Sequence, residues 1–383
     1  MKARIIDNIP KITLSVGMIV KNEHKYLNDC LTALKPLLDG ISSELIIVDT
    51  GSTDDTVEIA ERFTDNVFHF DWINDFAAAR NFGLEKCSGE WFMFLDADDI
   101  FNEDLSEMLN FFKDRTISKN YNSATYYTKD YTNVEKNDYA MFARSRIVRR
   151  RPDIKFVNPI HEYIEGFYAP VCNFSTYANH YGYVYETAES KAKKKERNLS
   201  ILEEELRKNP DDLRAMMHIL NEEPDSAEQH EQRTAKAIET AKKVKNQYSA
   251  PCYLNVILYY FNIKNYNQAL NLIKEYFSLF KAKDVLLLDL YVCLALIYLE
   301  QGKEEEAIKA FTDYFQHYML YINNKLDKTP MLITPITHLH PENYQKVKAK
   351  YNEFLSKTGR MKIKFDAGNT SPVKIKVVQK EEQ

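Results

Sequence analysis

The chain has 383 residues, of which 44% are hydrophobic and 28% charged, so it has enough apolar surface for a packed core and a length typical of two domains. Its 51 basic and 56 acidic residues are mixed along the sequence and give a net charge of −5, which argues against nucleic acid as the main partner. The five cysteines are scattered without a CxxC pair, which disfavours a disulfide framework or a structural zinc site. We therefore expect a cytoplasmic protein.

Two apolar stretches bear on targeting. The N-terminal stretch is interrupted by Pro10, Lys11 and Thr13 and has no small-residue cleavage site after it, so we expect no signal peptide. The longest apolar run, residues 285–299, is shorter than the roughly 20 residues that cross a bilayer, and it contains Asp289. The sequence therefore predicts a buried helix there and no transmembrane segment.

Strands alternate with helices through the first half of the chain. Four segments have the composition of strands: LSVGMIV (14–20), ELIIVDT (44–50), NVFHFDW (66–72) and EWFMFLDADD (90–99). The segments between them have helical spacing, and the first helix is expected to end near Pro36. This alternation predicts an α/β fold with a mainly parallel sheet between helices. Because such sheets bind ligands at the carboxyl ends of their strands, the loops after the first, second and fourth strands are the informative ones.

The composition changes after about residue 120. Residues 121–185 are aromatic and β-rich, and they are expected to complete the sheet of the first domain. From about Glu189, proline and glycine become rare while Lys, Glu, Leu and Ala dominate at helical spacing, which predicts an all-helical second domain. The expected domains are 1–188, 189–360 and a tail, 361–383.

The predicted helical domain contains a weak internal repeat. The pairs Ala237-Ile238, Ala269-Leu270 and Ala307-Ile308 lie 32 and 38 residues apart, and a period near 34 is that of tetratricopeptide helix pairs. A small alanine lets two helices approach closely. Ordinary helical hairpins with alanine at a close contact remain the alternative, because the spacing is irregular.

The segment FLDADD, residues 94–99, carries the strongest signal for a site. Three carboxylates at the end of a buried strand are costly unless a positive partner meets them. Asp96 and Asp98 are separated by one residue, so both can face one hard cation whose other ligands are diphosphate oxygens. A lone acidic pair of this kind is more often a helix cap, but the preceding apolar strand favours the metal.

A second signal is IIVDTGSTDDT, residues 46–56. Asp49 at the end of the strand can accept a hydrogen bond from a base or ribose, while Gly51 permits a tight turn and Ser52 to Asp54 are good caps. An efficient turn and cap explains residues 52–56 without a ligand. It does not require the acid at Asp49.

Together with SVGMIVKNE (15–23) and DFAAARN (75–81), these two segments resemble the family-two glycosyltransferases of the GT-A fold over about residues 12–185. The resemblance implies a nucleotide-sugar donor, with UDP as its nucleotide, and a divalent metal, Mn²⁺ or Mg²⁺. It assigns Asp96 and Asp98 to the acidic DxD motif, where Asp96 also contacts the nucleotide. The other positions that it assigns to nucleotide binding are Val20, Asn22, Glu23, Asp49 and Arg80. An arginine suits phosphate because its planar fork pairs bidentately with oxygens, although an exposed helix charge is the alternative for Arg80.

Two later segments extend the resemblance. IKFVNPIHEYIEG places Glu162 where the family often has the acid that deprotonates the acceptor, and YANHYGY places His180 where GT-A enzymes commonly have a metal-contacting histidine. Neutral imidazole is an ordinary ligand for manganese-like ions. His161 is the other candidate for the metal. We favour His180 as the metal ligand and Glu162 as the base.

The order of these segments, followed by a tetratricopeptide-like domain, is similar to bacterial enzymes that glycosylate peptides or proteins, including the S-glycosyltransferases of bacteriocins. That likeness implies inverting transfer of a hexose or N-acetylhexosamine from a UDP-sugar to a side chain of a peptide or protein. A helical repeat offers a concave surface for a polypeptide, or for a homodimer contact. A lipid-linked or polysaccharide acceptor, and a helical scaffold with a vestigial transferase domain, are the alternatives.

Two basic segments have no assigned role. The run KAKKKER, residues 191–197, is expected to be a solvated first turn of a helix, with approach to an anionic acceptor or membrane as the alternative. A cluster precedes the HE pair and contains five arginines that are candidates to neutralise diphosphate: Arg144, Arg146, Arg149, Arg150 and Arg151. The sequence does not distinguish among them.

Overall fold

The computed structural model describes residues 12–357 except positions 134, 136, 137, 186, 223, 225, 281, 282, 329, 331–335 and 340. The chain divides into two compact units between Ile201 and Leu202. The predicted boundary at 188 and 189 falls instead at the start of a long helix, Ala188–Lys208, so the predicted domain limits stay predictions. The predicted tail, 361–383, lies outside the described residues.

An eight-stranded mixed sheet forms the centre of the first unit. Its strand order is β3-β2-β1-β4-β7-β6-β10-β5, and β8 and β9 form a separate pair. The strands in chain order are β1 Leu14–Val20, β2 Ser43–Asp49, β3 Val67–His69, β4 Trp91–Leu95, β5 Asp99–Phe101, β6 Ser123–Tyr131, β7 Tyr139–Arg149, β8 Lys155–Val157, β9 Tyr163–Glu165 and β10 Val171–His180.

The direction of these strands places several loops at one edge. Strands β3, β2, β1 and β4 pair in parallel, and β10 is parallel to β6. Strand β7 is antiparallel to both β4 and β6, and β5 is antiparallel to β10. The carboxyl ends of β1, β2, β4 and β10 therefore meet at the same edge of the sheet, and the predicted α/β fold is confirmed.

Helices cover both faces of this sheet. Their bounds in the first unit are α1 Leu27–Gly40, α2 Thr56–Glu61, α3 Phe76–Lys86, α4 Ser106–Lys113 and α5 Arg115–Ser118, followed by α6 Ala188–Lys208. Alternate side chains of β4 serve different faces: Trp91 and Met93 share a core with α1 and α4, whereas Phe92 and Phe94 share one with α3. This division follows from the period of two along a strand.

Helix α1 differs from the prediction that it ends near Pro36. It continues to Gly40 with the proline inside it. Leu34 and Leu37, on either side of Pro36, are both fully buried against the sheet. Their packing supplies more free energy than the single backbone hydrogen bond that a proline removes.

The second unit is helical. Its helices are α7 Leu213–Asn221, α8 Ala227–Val244, α9 Ser249–Asn262, α10 Tyr266–Leu279, α11 Leu286–Glu300, α12 Glu304–Ile322 and α13 Pro341–Lys357, with a 3-10 helix at Thr337–Leu339. The repeated alanines Ala237, Ala269 and Ala307 lie in α8, α10 and α12, and all three are fully buried. Each therefore occupies the second helix of a consecutive pair, as the tetratricopeptide interpretation expects.

The apolar run that contains Asp289 forms the buried helix α11, as predicted. The Asp289 carboxylate accepts hydrogen bonds from the backbone N–H groups of Thr337 and His338, at 2.9 and 2.8 Å, and from Nδ1 of His338 at 2.7 Å. This fully buried charge holds the 3-10 helix against α11. Within the described part of the chain, every helix is too short or too polar to span a membrane.

Candidate active site

Three aspartates and a histidine converge where β4 and β10 end. Asp96, Asp98 and Asp99 follow β4 directly, and His180 is the last residue of β10. Strand β5 starts at Asp99 and pairs with β10 so that Asp99 lies opposite His180. The four side chains offer ligand atoms that all lie within 4.8 Å of one another. The structure thus brings together the three predicted metal ligands, together with Asp99.

Asp96 lies between two guanidinium groups. Its Oδ1 accepts a hydrogen bond from Nη2 of Arg80, and its Oδ2 accepts one from Nη2 of Arg146, both at 2.6 Å. Burial alone would raise the pKa of Asp96, but the charges of Arg146 and Arg80 hold that pKa well below its ordinary value. Asp96 is therefore ionised, and both of its oxygens are occupied.

Asp99 orients His180. Its Oδ1 lies 2.8 Å from Nδ1 of the imidazole, and its Oδ2 accepts a hydrogen bond from Nη1 of Arg146 at 3.1 Å. Burial lowers the pKa of His180, but the neighbouring carboxylates of Asp98 and Asp99 outweigh that effect and raise the pKa to about 10. With Nδ1 held by a carboxylate, Nε2 is the ring nitrogen that can face a metal.

Asp98 provides the test of whether a divalent cation suits this site. Its Oδ1 is buried and has no hydrogen-bond partner among the described residues, although Nδ1 of His180 is 3.3 Å away. A Cβ added at Gly182 would lie 2.7 Å from both Oδ2 of Asp98 and Nε2 of His180. The glycine therefore leaves a space that an oxygen and a nitrogen donor share. A carboxylate and an imidazole whose Nε2 proton the metal displaces are suitable ligands for Mn²⁺.

The candidate base is joined to the acidic turn by the same arginine. Oε1 of Glu162 accepts a hydrogen bond from Nε of Arg80 at 2.7 Å. Arg80 lies on α3 with 7% of its side chain exposed, so this guanidinium bridges Glu162 and Asp96 inside the protein. His161 has a left-handed backbone and an exposed side chain, and it is outside the metal-binding group that contains His180.

The loops after β1 and β2 are joined to each other. Oδ1 of Asn22 accepts a hydrogen bond from the backbone N–H of Thr53 at 2.8 Å, and the Asn22 N–H donates to Oγ of Ser52 at 2.9 Å. The carbonyl of Val20 accepts a hydrogen bond from the N–H of Thr50 at 2.9 Å. This joined surface is where the resemblance places the nucleotide.

Glu23 extends from the first of these loops toward the acidic turn. Burial, together with the charges of Asp98, Asp96 and Asp54, raises the pKa of its carboxyl to about 8, and Lys194 opposes that rise. Glu23 therefore lies close to the candidate metal ligands. It adds a further acid to the edge of the sheet.

Asp49 has a structural partner that the sequence did not reveal. Its carboxylate accepts hydrogen bonds from the N–H of Gly51 at 3.0 Å and the N–H of Ser52 at 3.1 Å. Gly51 has a φ of 98°, which the turn requires. The acid at the end of β2 therefore stabilises its own turn, and a contact with a nucleotide stays a prediction.

Of the five clustered arginines, Arg146 is the one that reaches the acidic turn. Arg144 pairs with Asp130, Arg149 with Glu90 and Arg151 with Asp153, while Arg150 donates to the carbonyl of Gly89. Asp99 belongs to the acidic segment FLDADD but had no predicted role of its own, and Arg146 was one of five candidates to neutralise diphosphate. Successive side chains of a strand point to opposite faces of the sheet, so Arg144 and Arg146 of β7 share a face that their immediate neighbours do not. This alternation is the signal in the sequence that could have set these two arginines apart.

Comparison with known proteins shows what the first part of the chain is similar to. Residues 15–167 match the family model described as glycosyl transferase family 2. The sequence is 28% identical over 256 residues to the SPbeta prophage-derived glycosyltransferase SunS of Bacillus subtilis, a match that covers 61% of this chain and 55% of SunS. It is 34% identical over 152 residues to a TPR repeat-containing protein of Synechococcus elongatus, covering 40% of this chain and 35% of that protein.

These matches span between about a third and just over a half of the relatives' own length. Among solved structures, S. aureus TarS 1–349 superposes with a TM-score of 0.36 at 16% identity, covering 82% of this chain and 92% of that chain. The family match includes β2 to β9, the acidic turn, Arg80 and Glu162, and it ends before β10 and His180. Residues 15–167 of this chain are therefore similar to glycosyl transferase family 2.

Proposed function

We propose that the protein is an inverting, metal-dependent glycosyltransferase that moves a hexose or N-acetylhexosamine from a UDP-sugar to a peptide or protein side chain. The observation that carries the proposal is the pair of donor atoms on Asp98 and His180 that face one space beside Gly182, in a chain whose residues 15–167 match the glycosyl transferase family 2 model. The loops that carry Val20, Asn22 and Asp49 adjoin this space along the edge of the sheet, and there the nucleotide would bind.

Asp98 and His180 would hold the divalent ion, and Asp99 would keep Nε2 of His180 directed toward it. When bound, a divalent ion supplies positive charge beside the departing diphosphate. Asp96 is engaged by Arg80 and Arg146, so in this arrangement it fixes the turn that presents Asp98. Direct coordination by Asp96 would require it to share its oxygens with these two guanidinium groups.

Glu162 would act as the base. Its carboxylate takes the proton of the acceptor group, whose heteroatom forms a bond to the anomeric carbon while the bond from that carbon to the diphosphate oxygen breaks. The electron pair of the broken bond leaves with the diphosphate. One displacement of this kind inverts the anomeric centre. Arg80 fixes the position of Glu162 through its Nε.

The helical unit is the reason for proposing a polypeptide acceptor. Three consecutive helix pairs with buried alanines have the organisation of repeats that present an extended surface to a peptide. The same surface would also serve a homodimer. A polypeptide is the favoured acceptor because the motifs resemble those of enzymes that modify peptides and proteins.

A donor and acceptor screen tests this function. Full-length protein with MnCl₂ is first screened by thermal shift against nucleoside diphosphates and their sugars, because a ligand that binds the folded state raises the melting temperature. UDP-sugars are expected to give the largest shift. Hits are then incubated with peptide pools, or with glycan and lipid-linked acceptors, and the products are analysed by mass spectrometry. Transfer only to glycan or lipid acceptors would refute the polypeptide assignment, and binding without transfer or hydrolysis would indicate a vestigial domain.

A further inference from the structure

The basic run of α6 is not solvated uniformly. Lys193 is exposed and pairs with Glu189 on the same helix at 2.8 Å. Lys194, the next residue, is only partly exposed, and its Nζ donates a hydrogen bond to the carbonyl of Gly182 at 3.0 Å. Gly182 is the residue that leaves space beside Asp98 and His180. One ammonium group of the run therefore lies next to the candidate metal site.

Arg197, one turn further along α6, also faces this part of the unit. Its guanidinium lies over the ring of Phe76, 5.0 Å from the centroid, at the start of the helix that carries Arg80. It donates to Oδ1 of Asn198 at 3.0 Å. Burial lowers the pKa of Arg197, and nearby charges that include those of Glu162 and Glu23 oppose this lowering, so the guanidinium lies near both acids. Residues three apart on a helix share a face, and Lys194 and Arg197 thus form a cation pair along the edge of the sheet.

The two buried arginines of the site have carboxylate partners. Arg80 donates to Glu162 and Asp96, and Arg146 donates to Asp96 and Asp99. The α6 pair differs, because the hydrogen bonds described for Lys194 and Arg197 go to a neutral carbonyl and a neutral amide oxygen. A cation whose partner is a neutral oxygen gains more from an arriving anion than one already neutralised by a carboxylate.

We propose that Lys194 and Arg197 bind the diphosphate of the nucleotide substrate. The inference rests on the proposed function, because that function supplies the diphosphate. Lys194 would exchange its hydrogen bond to Gly182 for a phosphate oxygen, or share it, and Arg197 would contribute a second cation. The run that the sequence suggested was solvated is thereby part of the donor site.

Binding of UDP and of uridine separates a diphosphate contact from a merely structural one. Full-length wild-type protein, Lys194→Met and Arg197→Met are titrated with UDP in MnCl₂ by calorimetry and with uridine by ligand-observed NMR. Each variant is expected to bind UDP roughly 10- to 100-fold more weakly, the effect of one lost charge-assisted contact, and to bind uridine like the wild type. Lys194→Arg should keep most of the UDP affinity. Lys193→Met is the matched control and should leave both affinities unchanged.

The other outcomes are distinct. If wild-type protein binds UDP and both methionine variants bind it equally well, the inference is overturned while the proposed function stands. If the variants bind UDP and uridine equally more weakly, Lys194 only supports the turn that contains Gly182. That result would also overturn the inference. If wild-type protein fails to bind UDP with Mn²⁺, the proposed donor is wrong and this inference falls with it.

Discussion

Asp98→Asn should remove metal binding and weaken the fold only slightly. Oδ1 of Asp98 is buried without a hydrogen-bond partner among the described residues, so the amide sacrifices no described hydrogen bond at that atom. The change also removes a negative charge that acts on the neighbouring carboxyl of Glu23. In EDTA the variant loses one carboxylate beside the His180 imidazole, for which Asp99 remains as a partner, so it should melt only about 2–4 °C below the wild type, a cost of about 1 kcal/mol.

The size of the stabilisation by Mn²⁺ follows from mass action. Mn²⁺ at 100 times its dissociation constant stabilises the folded state by about 2.7 kcal/mol. For a unit of this size that is a rise of about 5–10 °C in melting temperature. A 100-fold loss of affinity would leave only about 0.4 kcal/mol, or about 1–2 °C. Both tryptophans of the chain, Trp72 and Trp91, lie in the first unit, so tryptophan fluorescence reports its melting selectively.

Two comparison variants make the result specific. Asp54→Asn changes an exposed group of the same residue types, formed by His24, Asp54 and Asp55, and should keep the full Mn²⁺ shift. Asp96→Asn removes the shared partner of two buried guanidinium groups and should cost about 3–5 kcal/mol even in EDTA. A wild-type Mn²⁺ shift in Asp98→Asn, or an equal loss in Asp54→Asn, would refute the assignment of the metal to Asp98 and His180.

Three further variants test other parts of the chain. Glu162→Gln should lower transfer by about 10²–10⁴-fold yet keep UDP affinity, because the amide oxygen can still accept from Arg80; a collapse of UDP affinity would make Glu162 a binding residue. Asp289→Ala should destabilise the helical unit by about 3 kcal/mol or more in urea titrations followed by far-UV circular dichroism, since three donors lose their acceptor; a loss under about 1 kcal/mol would contradict this. Burial raises the pKa of Asp284 from 3.8 to about 6, so stability from its protonated form is complete below about pH 4 and is lost as the pH rises through 6. Asp284→Asn should therefore stabilise the unit by about 1–2 kcal/mol at pH 7.5 and by little at pH 4, and equal effects at both pH values would refute the titration.

The local pattern of apolar and polar residues was sufficient to predict the first strands and the acidic turn. The bounds predicted for the first strand, 14–20, are those observed, and the second strand differs by one residue at each end. Parallel β/α alternation places the ends of β1, β2 and β4 together, so the loops that mattered were identifiable without coordinates. The motif resemblance added His180, which lies 82 residues beyond Asp98 in the chain.

Strand register was the information that the sequence lacked. Arg146 reaches Asp96 because β7 runs antiparallel to β4 with Ile147 opposite Met93 and Arg149 opposite Trp91. A slip of one residue would direct the neighbouring side chains to the opposite faces of the sheet. The composition of the five-arginine cluster is the same in either register, so it could not reveal which arginine meets the acids.

Hydrogen bonds between a side chain and the nearby backbone also could not be predicted from the sequence. Asp49 looked like a residue that needed a ligand, yet the N–H groups of Gly51 and Ser52 satisfy it. Aspartate forms such local turns readily, and its position at the end of a strand is the same whether or not a nucleotide contacts it. Position at the ligand-binding edge therefore identifies candidates, and only the contacts separate a turn residue from a binding residue.

The two aspartates of the DxD motif differ in what they connect. Asp96 shares Arg80 with Glu162, so the first acid of the motif and the candidate base belong to one chain of ion pairs. A change at Asp96 will therefore disturb the position of Glu162 as well as any metal, and a loss of turnover there cannot be attributed to either alone. Asp98 has no ion pair with either buried arginine within the described part of the chain, and it faces His180 instead. Its substitution separates metal binding from positioning of the base, which is why Asp98 rather than Asp96 is the residue on which the metal assignment should be judged.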